Sequence, residues 1–149
     1  MGGFVDHDNT KQRADSGAYG KVIEKIRKDG VCPFCPEHFA VYHKNPTLMD
    51  GTHWLLTKNM YPYEGAKHHV LVLHKKHIES FAEVTPEAWT ELRTLIAAFL
   101  KQENIPGGTF FMRFGETAYT GASVRHLHAN LVSPDGENKD RKPIIARIG

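Results

Sequence analysis

The sequence predicts an α+β domain, an antiparallel sheet of about five strands carrying two main helices. Three observations lead there. Two stretches repeat apolar residues at helical spacing, and several short stretches alternate or run apolar at strand length. Turn residues separate the strands closely enough for antiparallel neighbours. At 149 residues the chain is long enough for one buried core and short for two ordinary domains.

Taken in order, residues 1–15 are polar and are expected to be a flexible N-terminal segment, with a single domain over 16–149. From Ser16, the residues Tyr19, Val22, Ile23 and Ile26 recur at helical spacing, and Gly30 stops the pattern. "FAVYH" and "HWLLTK" read as the strands of a hairpin turning at "MDGT". "NMYPYEGAKH" is a loop, and "HVLVLH" has the continuous apolar run of a central strand covered on both faces. The longest helix is expected in "TPEAWTELRTLIAAFLKQEN". Thr85 caps it, Pro86 takes its first position, and Trp89, Leu92, Ile96, Phe99 and Leu100 form one apolar stripe. "GTFFMRF" and "VRHLHANLV" are further strands joined by the loop "GETAYTGAS", and "KPIIARI" reads as an edge strand.

Composition narrows the function. Hydrophobic residues make up 40% and charged residues 24%, the balance of a globular domain. The net charge of +2 comes from scattered lysines and arginines, so no nucleic-acid partner is expected. No apolar run approaches the roughly 20 residues that cross a bilayer, and the N-terminus lacks an apolar signal core. No membrane partner and a cytoplasmic location follow as expectations. Cys32 and Cys35 in "CPFCP" are the only cysteines, and in a reducing compartment such a pair is a metal half-site or a redox pair more often than a disulfide.

The chemistry concentrates in "GASVRHLHANLV", residues 121–132. On a strand His126, His128 and Asn130 share one face, while Leu127, Ala129 and Leu131 take the other. The small residues and hydroxyl of "TGAS" let backbone N–H groups and Ser123 approach an anion closely. An imidazole beside such a turn is the pairing needed for nucleophilic attack on phosphorus.

These residues resemble the histidine-triad (HIT) superfamily of nucleotide hydrolases and transferases. Its motif is His-x-His-x-His followed by two apolar residues and preceded by Gly-x-Ser-Val. It is matched here at Gly121, Ser123, Val124, His126, His128, Leu131 and Val132. "NMYPYEGAKHHVLVLHKKHIESFAEVTPE" is similar to the superfamily's loop, strand and P-K-x-H segment leading into its long helix. The resemblance spans roughly 32–134 and is closest in motif to the branch of dinucleoside tetraphosphate phosphorylases and hydrolases.

The resemblance implies a HIT-like fold and a set of roles. His128 would be the nucleophile that takes a nucleoside monophosphate. Gly121, Ser123 and His126 would bind the phosphate, Asn59 the ribose, and Asn130 would stand in the third triad position. Three departures bear on activity: Asn130 replaces a histidine, Arg113 stands where relatives often carry an amide, and "GAKHH" breaks a P-G-H turn. An amide at the third position is compatible with transfer, since galactose-1-phosphate uridylyltransferase carries Gln there.

In several branches a C-x-x-C joins two histidines around structural zinc. Carried over, the ligands are Cys32, Cys35, His77 and His126, with His74, His69 and His68 competing for the place of His77. The expected function is therefore a nucleotidyl hydrolase or transferase, phosphorylase-like activity included. It would act on nucleoside or dinucleoside polyphosphates through a nucleotidyl-histidine, with zinc as cofactor and a homodimer as assembly. The alternative is a nucleotide-binding or sensor protein with little turnover. Burst release of the leaving group in a single turnover separates the two.

Overall fold

The computed structural model describes residues 3–11 and 16–149. In chain order the elements are α1 (His7–Lys11), α2 (Ser16–Asp29), α3 (Pro36–Tyr42), β1 (Thr47–Asp50), β2 (Trp54–Lys58) and β3 (Ala66–His74). A 3-10 turn at Phe81–Glu83 leads to α4 (Pro86–Gln102), β4 (Thr109–Arg113), α5 (Thr117–Thr120) and β5 (His128–Pro134). The strands form one five-stranded sheet in the order β1-β2-β3-β5-β4, antiparallel throughout. The α+β architecture is as expected.

Helix α4 covers one face of the sheet. Thr85 caps it by accepting the Ala88 N–H, and Pro86 occupies its first turn. Ala88, Leu92 and Phe99 from α4 join Trp54, Leu56, Val70, Val72, Leu127, Ala129 and Leu131 in the main core. Trp54 is fully buried and its indole N–H donates to the Ala88 carbonyl at 2.7 Å, fastening sheet to helix. The period-two alternation leaves Leu71 on β3, Arg113 on β4, and His128 and Asn130 on β5 pointing the other way, where the cross-strand pairs Leu71↔Asn130 and Arg113↔His128 set them side by side.

Two expectations are corrected. "FAVYH" lies in α3, and the first hairpin strand is β1. Cys35 is extended (φ −67°, ψ 139°) and Pro36 follows it in the first helical turn, where a missing N–H costs nothing. The amides of His38 and Phe39 both return to the Cys35 carbonyl at 2.9 Å, so the cysteine turn itself starts the helix. "KPIIARI" forms no strand; it crosses coil-like beside β4, and the Arg147 carbonyl accepts from Arg113 at 2.8 Å.

The N-terminal segment, expected to be flexible, is docked over its described part. Val5 bridges Val124, the Arg125 amide donates to the Phe4 carbonyl and the Asp6 amide to the Ser123 carbonyl, both at 2.8 Å. Asn9 Nδ2 reaches the carbonyls of Thr117 (2.9 Å) and Ala122 (2.8 Å). Polar composition concealed this because the attachment is by hydrogen bonds and only a little apolar burial. The remaining residues of that segment lie outside the described ones. Among the described residues, no helix is long and apolar enough to cross a membrane.

Candidate active site and metal centre

The sheet face opposite α4 opens into a cleft of about 800 Å³, its open mouth included. Its floor holds Leu71, Arg113, His128 and Asn130, and the turn Gly121–Val124 forms one rim. Tyr19, Val22, Ile23 and Ile26 of α2 make the facing wall, and Asn59 lines the cleft with its Nδ2 3.3 Å from His69 Nε2, next to Asn130. Residues from five separate stretches of sequence therefore meet here.

His128 is buried. Its Nδ1 lies 2.6 Å from the His126 carbonyl, an acceptor, so Nδ1 carries the proton and Nε2 keeps its lone pair. Burial, with Arg113 adding to it, lowers the His128 pKa to about 4, so the ring is neutral near pH 7. Phe34, from the cysteine turn, packs edge-on against it at 5.3 Å between centroids.

Asn130 is held by a residue that sequence reasoning placed only among competing zinc ligands. The Tyr63 amide donates to His69 Nδ1 at 3.0 Å, so Nε2 of His69 carries the proton and donates to Asn130 Oδ1 at 2.8 Å. Tyr63 also stacks on the His69 ring, 4.4 Å between centroids. The Asn130 oxygen is thereby engaged, and its NH₂ is the end left to face the cleft. Asn59 lines the cleft with its Oδ1 accepting the Tyr61 amide at 2.8 Å, an Asx turn.

Gly121 closes α5 with φ 66°, and a Cβ there would meet the Arg147 carbonyl oxygen at 3.0 Å. Glycine is required on both counts. Ser123 lines the cleft beside it. His126 does not line the cleft: the regular pairing of β5 begins only at His128, and the His126 ring turns toward the cysteines.

There, Cys32, Cys35, His77 and His126 form one cluster whose ligand atoms all lie within 4.8 Å of one another. His126 Nδ1 is 3.3 Å from Cys32 Sγ, 3.9 Å from Cys35 Sγ and 3.2 Å from His77 Nδ1, and Cys35 Sγ is 3.4 Å from His77 Nδ1. Tetrahedral zinc with bonds of about 2.0–2.3 Å sets its ligand atoms roughly 3.3–3.8 Å apart. The second nitrogens fit as well. His126 Nε2 donates to the His74 carbonyl at 2.6 Å, and His77 Nε2 lies 3.4 Å from the Glu79 carboxylate, so both Nδ1 lone pairs aim inward. Burial pushes the Cys35 thiol up to about 12 and raises Cys32 too, so thiolates here require a cation beside them. The donor set suits zinc. His74 itself bonds the Lys76 carbonyl, and neither His69 nor His68 joins the cluster.

The family described as "Scavenger mRNA decapping enzyme C-term binding" matches residues 32–144. The chain belongs to this family. The match begins at Cys32 and contains the whole cysteine–histidine cluster, His128 and Asn130. The CWF19-like protein 1 homolog of Drosophila melanogaster is 28% identical over 134 residues, covering 86% of this chain and 22% of that protein. The chain thus spans about a fifth of that relative's length. Among solved structures, a HIT family hydrolase from Clostridium thermocellum superposes with TM-score 0.55 at 22% identity, over 77% of this chain and 96% of that one. A zinc-bound histidine triad family protein from Mycobacterium smegmatis gives TM-score 0.54 at 19% identity, over 75% and 82%. At such identities the likeness establishes the histidine-triad fold.

Proposed function

We propose that the chain is a nucleotidyl hydrolase or transferase that cleaves nucleoside or dinucleoside polyphosphates through a nucleotidyl-His128 intermediate. One observation carries the reading: a buried, neutral imidazole, protonated at Nδ1 against a backbone carbonyl, lines a cleft beside a glycine–serine turn. Nε2 attacks phosphorus, the N–P bond forms, and the bond to the departing phosphate oxygen breaks. The positive charge that develops on the ring is shared with the His126 carbonyl through Nδ1–H. Water or phosphate then attacks the same phosphorus, and the electron pair of the N–P bond returns to Nε2.

The Gly121 and Ala122 amides already donate to the Thr117 carbonyl and the Thr120 hydroxyl, so Ser123 is the donor the turn offers the transferred phosphate, and the Asn130 NH₂ supplies another. Asn59, which lines the cleft beside His69, takes the ribose hydroxyls. Zinc held by Cys32, Cys35, His77 and His126 acts structurally. Bound there, it would hold the His126 ring in place, and the His126 backbone carbonyl sets the His128 tautomer. A family described by mRNA decapping agrees with a substrate whose nucleoside is joined through phosphates to a leaving group. The outer edge of β4, which has no neighbouring strand in the described sheet, is the edge through which a homodimer would extend it.

His128→Ala tests the reading. Turnover should fall at least about 10³-fold while AMP binding changes far less. Mass spectrometry at alkaline pH, where phosphohistidine-type bonds persist, should find the adduct in the unmodified protein alone. A near-normal rate in the variant would remove His128 from the chemistry.

A further inference from the structure

Arg113 lines the cleft beside His128, and the chemistry above leaves it unused. It is 8% exposed, and among the described residues no carboxylate pairs with it. Its partners are all neutral. Nη1 donates to the Thr120 carbonyl, and Nη2 to the Tyr63 hydroxyl at 3.2 Å and the Arg147 carbonyl at 2.8 Å. A guanidinium has five N–H groups. Those three bonds hold the fork rigidly and leave two donors, at a position paired directly across the ladder from His128 and inside the cleft. A buried cation without an anion is costly to fold, and it is retained where an anion arrives later.

The direction of approach is also built in. Along the same sheet face beyond Arg113 lies a second cavity of about 1330 Å³, its open mouth included. Phe111 and Val132 floor it, Lys139, Arg141 and Lys142 line it, and Tyr63 is shared with the cleft. The path from His128 past Arg113 therefore runs into a basic and partly apolar chamber. Among the described residues, the α2 wall of the cleft is Tyr19, Val22, Ile23 and Ile26, without such a group of cations.

We infer that Arg113 grips the departing polyphosphate, the phosphates beyond the one transferred to His128, and so selects substrates by the charge of the leaving group. This rests on the proposed nucleotidyl transfer but is a separate claim. Arg113 neither attacks nor moves a proton; it neutralises charge that grows on the leaving oxygen as the P–O bond breaks.

The test compares Arg113→Gln and Arg113→Lys with the unmodified protein on two probes, in adenosine and guanosine forms. One is a dinucleoside tetraphosphate. The other is a nucleoside 5′-(p-nitrophenyl phosphate), whose leaving group has no phosphate. The loss of kcat/KM in Arg113→Gln should be about 30-fold greater on the tetraphosphate than on the ester, with Lys recovering part of it. Equal losses on both probes would overturn the inference. If the unmodified protein turns over neither probe, the nucleotidyl-transfer reading has failed, and binding decides Arg113 by itself. An α,β-methylene nucleoside triphosphate should then bind the unmodified protein more tightly than the monophosphate, and Arg113→Gln should erase that preference. An unchanged or absent preference overturns the assignment. Monophosphate binding serves as the folding control, and Arg113→Lys replaces the Gln variant if that one does not fold.

Discussion

Removing zinc should cost this domain a large part of its stability, and the size follows from where the four ligands come from. Cys32 and His126 are 94 residues apart, and His77 lies between them. Only the folded chain presents the full set; the unfolded chain keeps a two-cysteine half-site. Metal that binds the native state alone stabilises by RT ln(1 + [Zn]/Kd), about 4.1 kcal/mol when free zinc is 1,000 times Kd. For a domain of this length each kcal/mol moves Tm by about 3–4 °C, so chelation should lower Tm by about 12–16 °C. The assay is thermal unfolding of protein purified without added zinc, with and without a strong chelator, alongside elemental analysis expected to give about one zinc per chain. Cys35→Ser should melt near the chelated protein and should not respond to chelator. If metal-free protein melts with the zinc-loaded sample, or if reconstitution loads no zinc, the cluster is a packed thiol–imidazole group and the reasoning fails.

Two further outcomes are expected. Because the His69 N–H occupies the Asn130 oxygen, Asn130 can donate a hydrogen bond but not a proton. Asn130→His should therefore raise kcat/KM on nucleoside phosphoramidates at least about 10-fold relative to polyphosphates, whose leaving groups need little protonation. Native turnover of a phosphoramidate as fast as a polyphosphate would contradict this. On the opposite face, the Glu91 carboxylate accepts the amides of Thr52 (2.7 Å), His53 (2.7 Å) and Trp54 (3.0 Å), closing the β1–β2 turn, and Gly51 makes room for it. Burial works to raise its pKa and these three bonds outweigh it, so the folded value is lowered. The stability it contributes is present above the ordinary carboxyl pKa and lost as pH falls through the lowered one. Glu91→Gln should destabilise by about 1–2 kcal/mol near pH 7 and flatten the acid limb of stability against pH, with turnover unaffected. An unchanged acid limb in denaturant titrations would refute the role.

The sequence made the long helix and the reaction strand legible because each carries a redundant signal. For α4 the Thr85–Pro86 start, the apolar stripe and the length agree; for β5 the alternation separates Leu127, Ala129 and Leu131 from the polar set. α3 is not legible by residue type, because Phe39, Val41 and Tyr42 favour strands, whereas Pro36 and the cysteine turn decide the backbone locally. What no periodicity could disclose is register. His69 reaches Asn130 only because β3 pairs with β5 so that His69 faces Val132, and Arg113 meets His128 only through the β4 pairing. The docking of residues 3–9 was hidden for a similar reason: its partners lie more than 100 positions away.

The family match starts at Cys32, yet the wall of the cleft facing His128 is α2, which ends at Asp29. One wall of the cleft thus lies outside the piece of the chain that the family shares. The shared piece carries the imidazole, the serine turn, Arg113 and the metal cluster, while Tyr19, Val22, Ile23 and Ile26 lie outside it and form the opposite wall. Two relatives identical at every reactive position can diverge in diet through that one helix, with no mutation near the chemistry. Exchanging α2 between such relatives would reshape that wall and leave His128, Asn130 and the metal cluster in place.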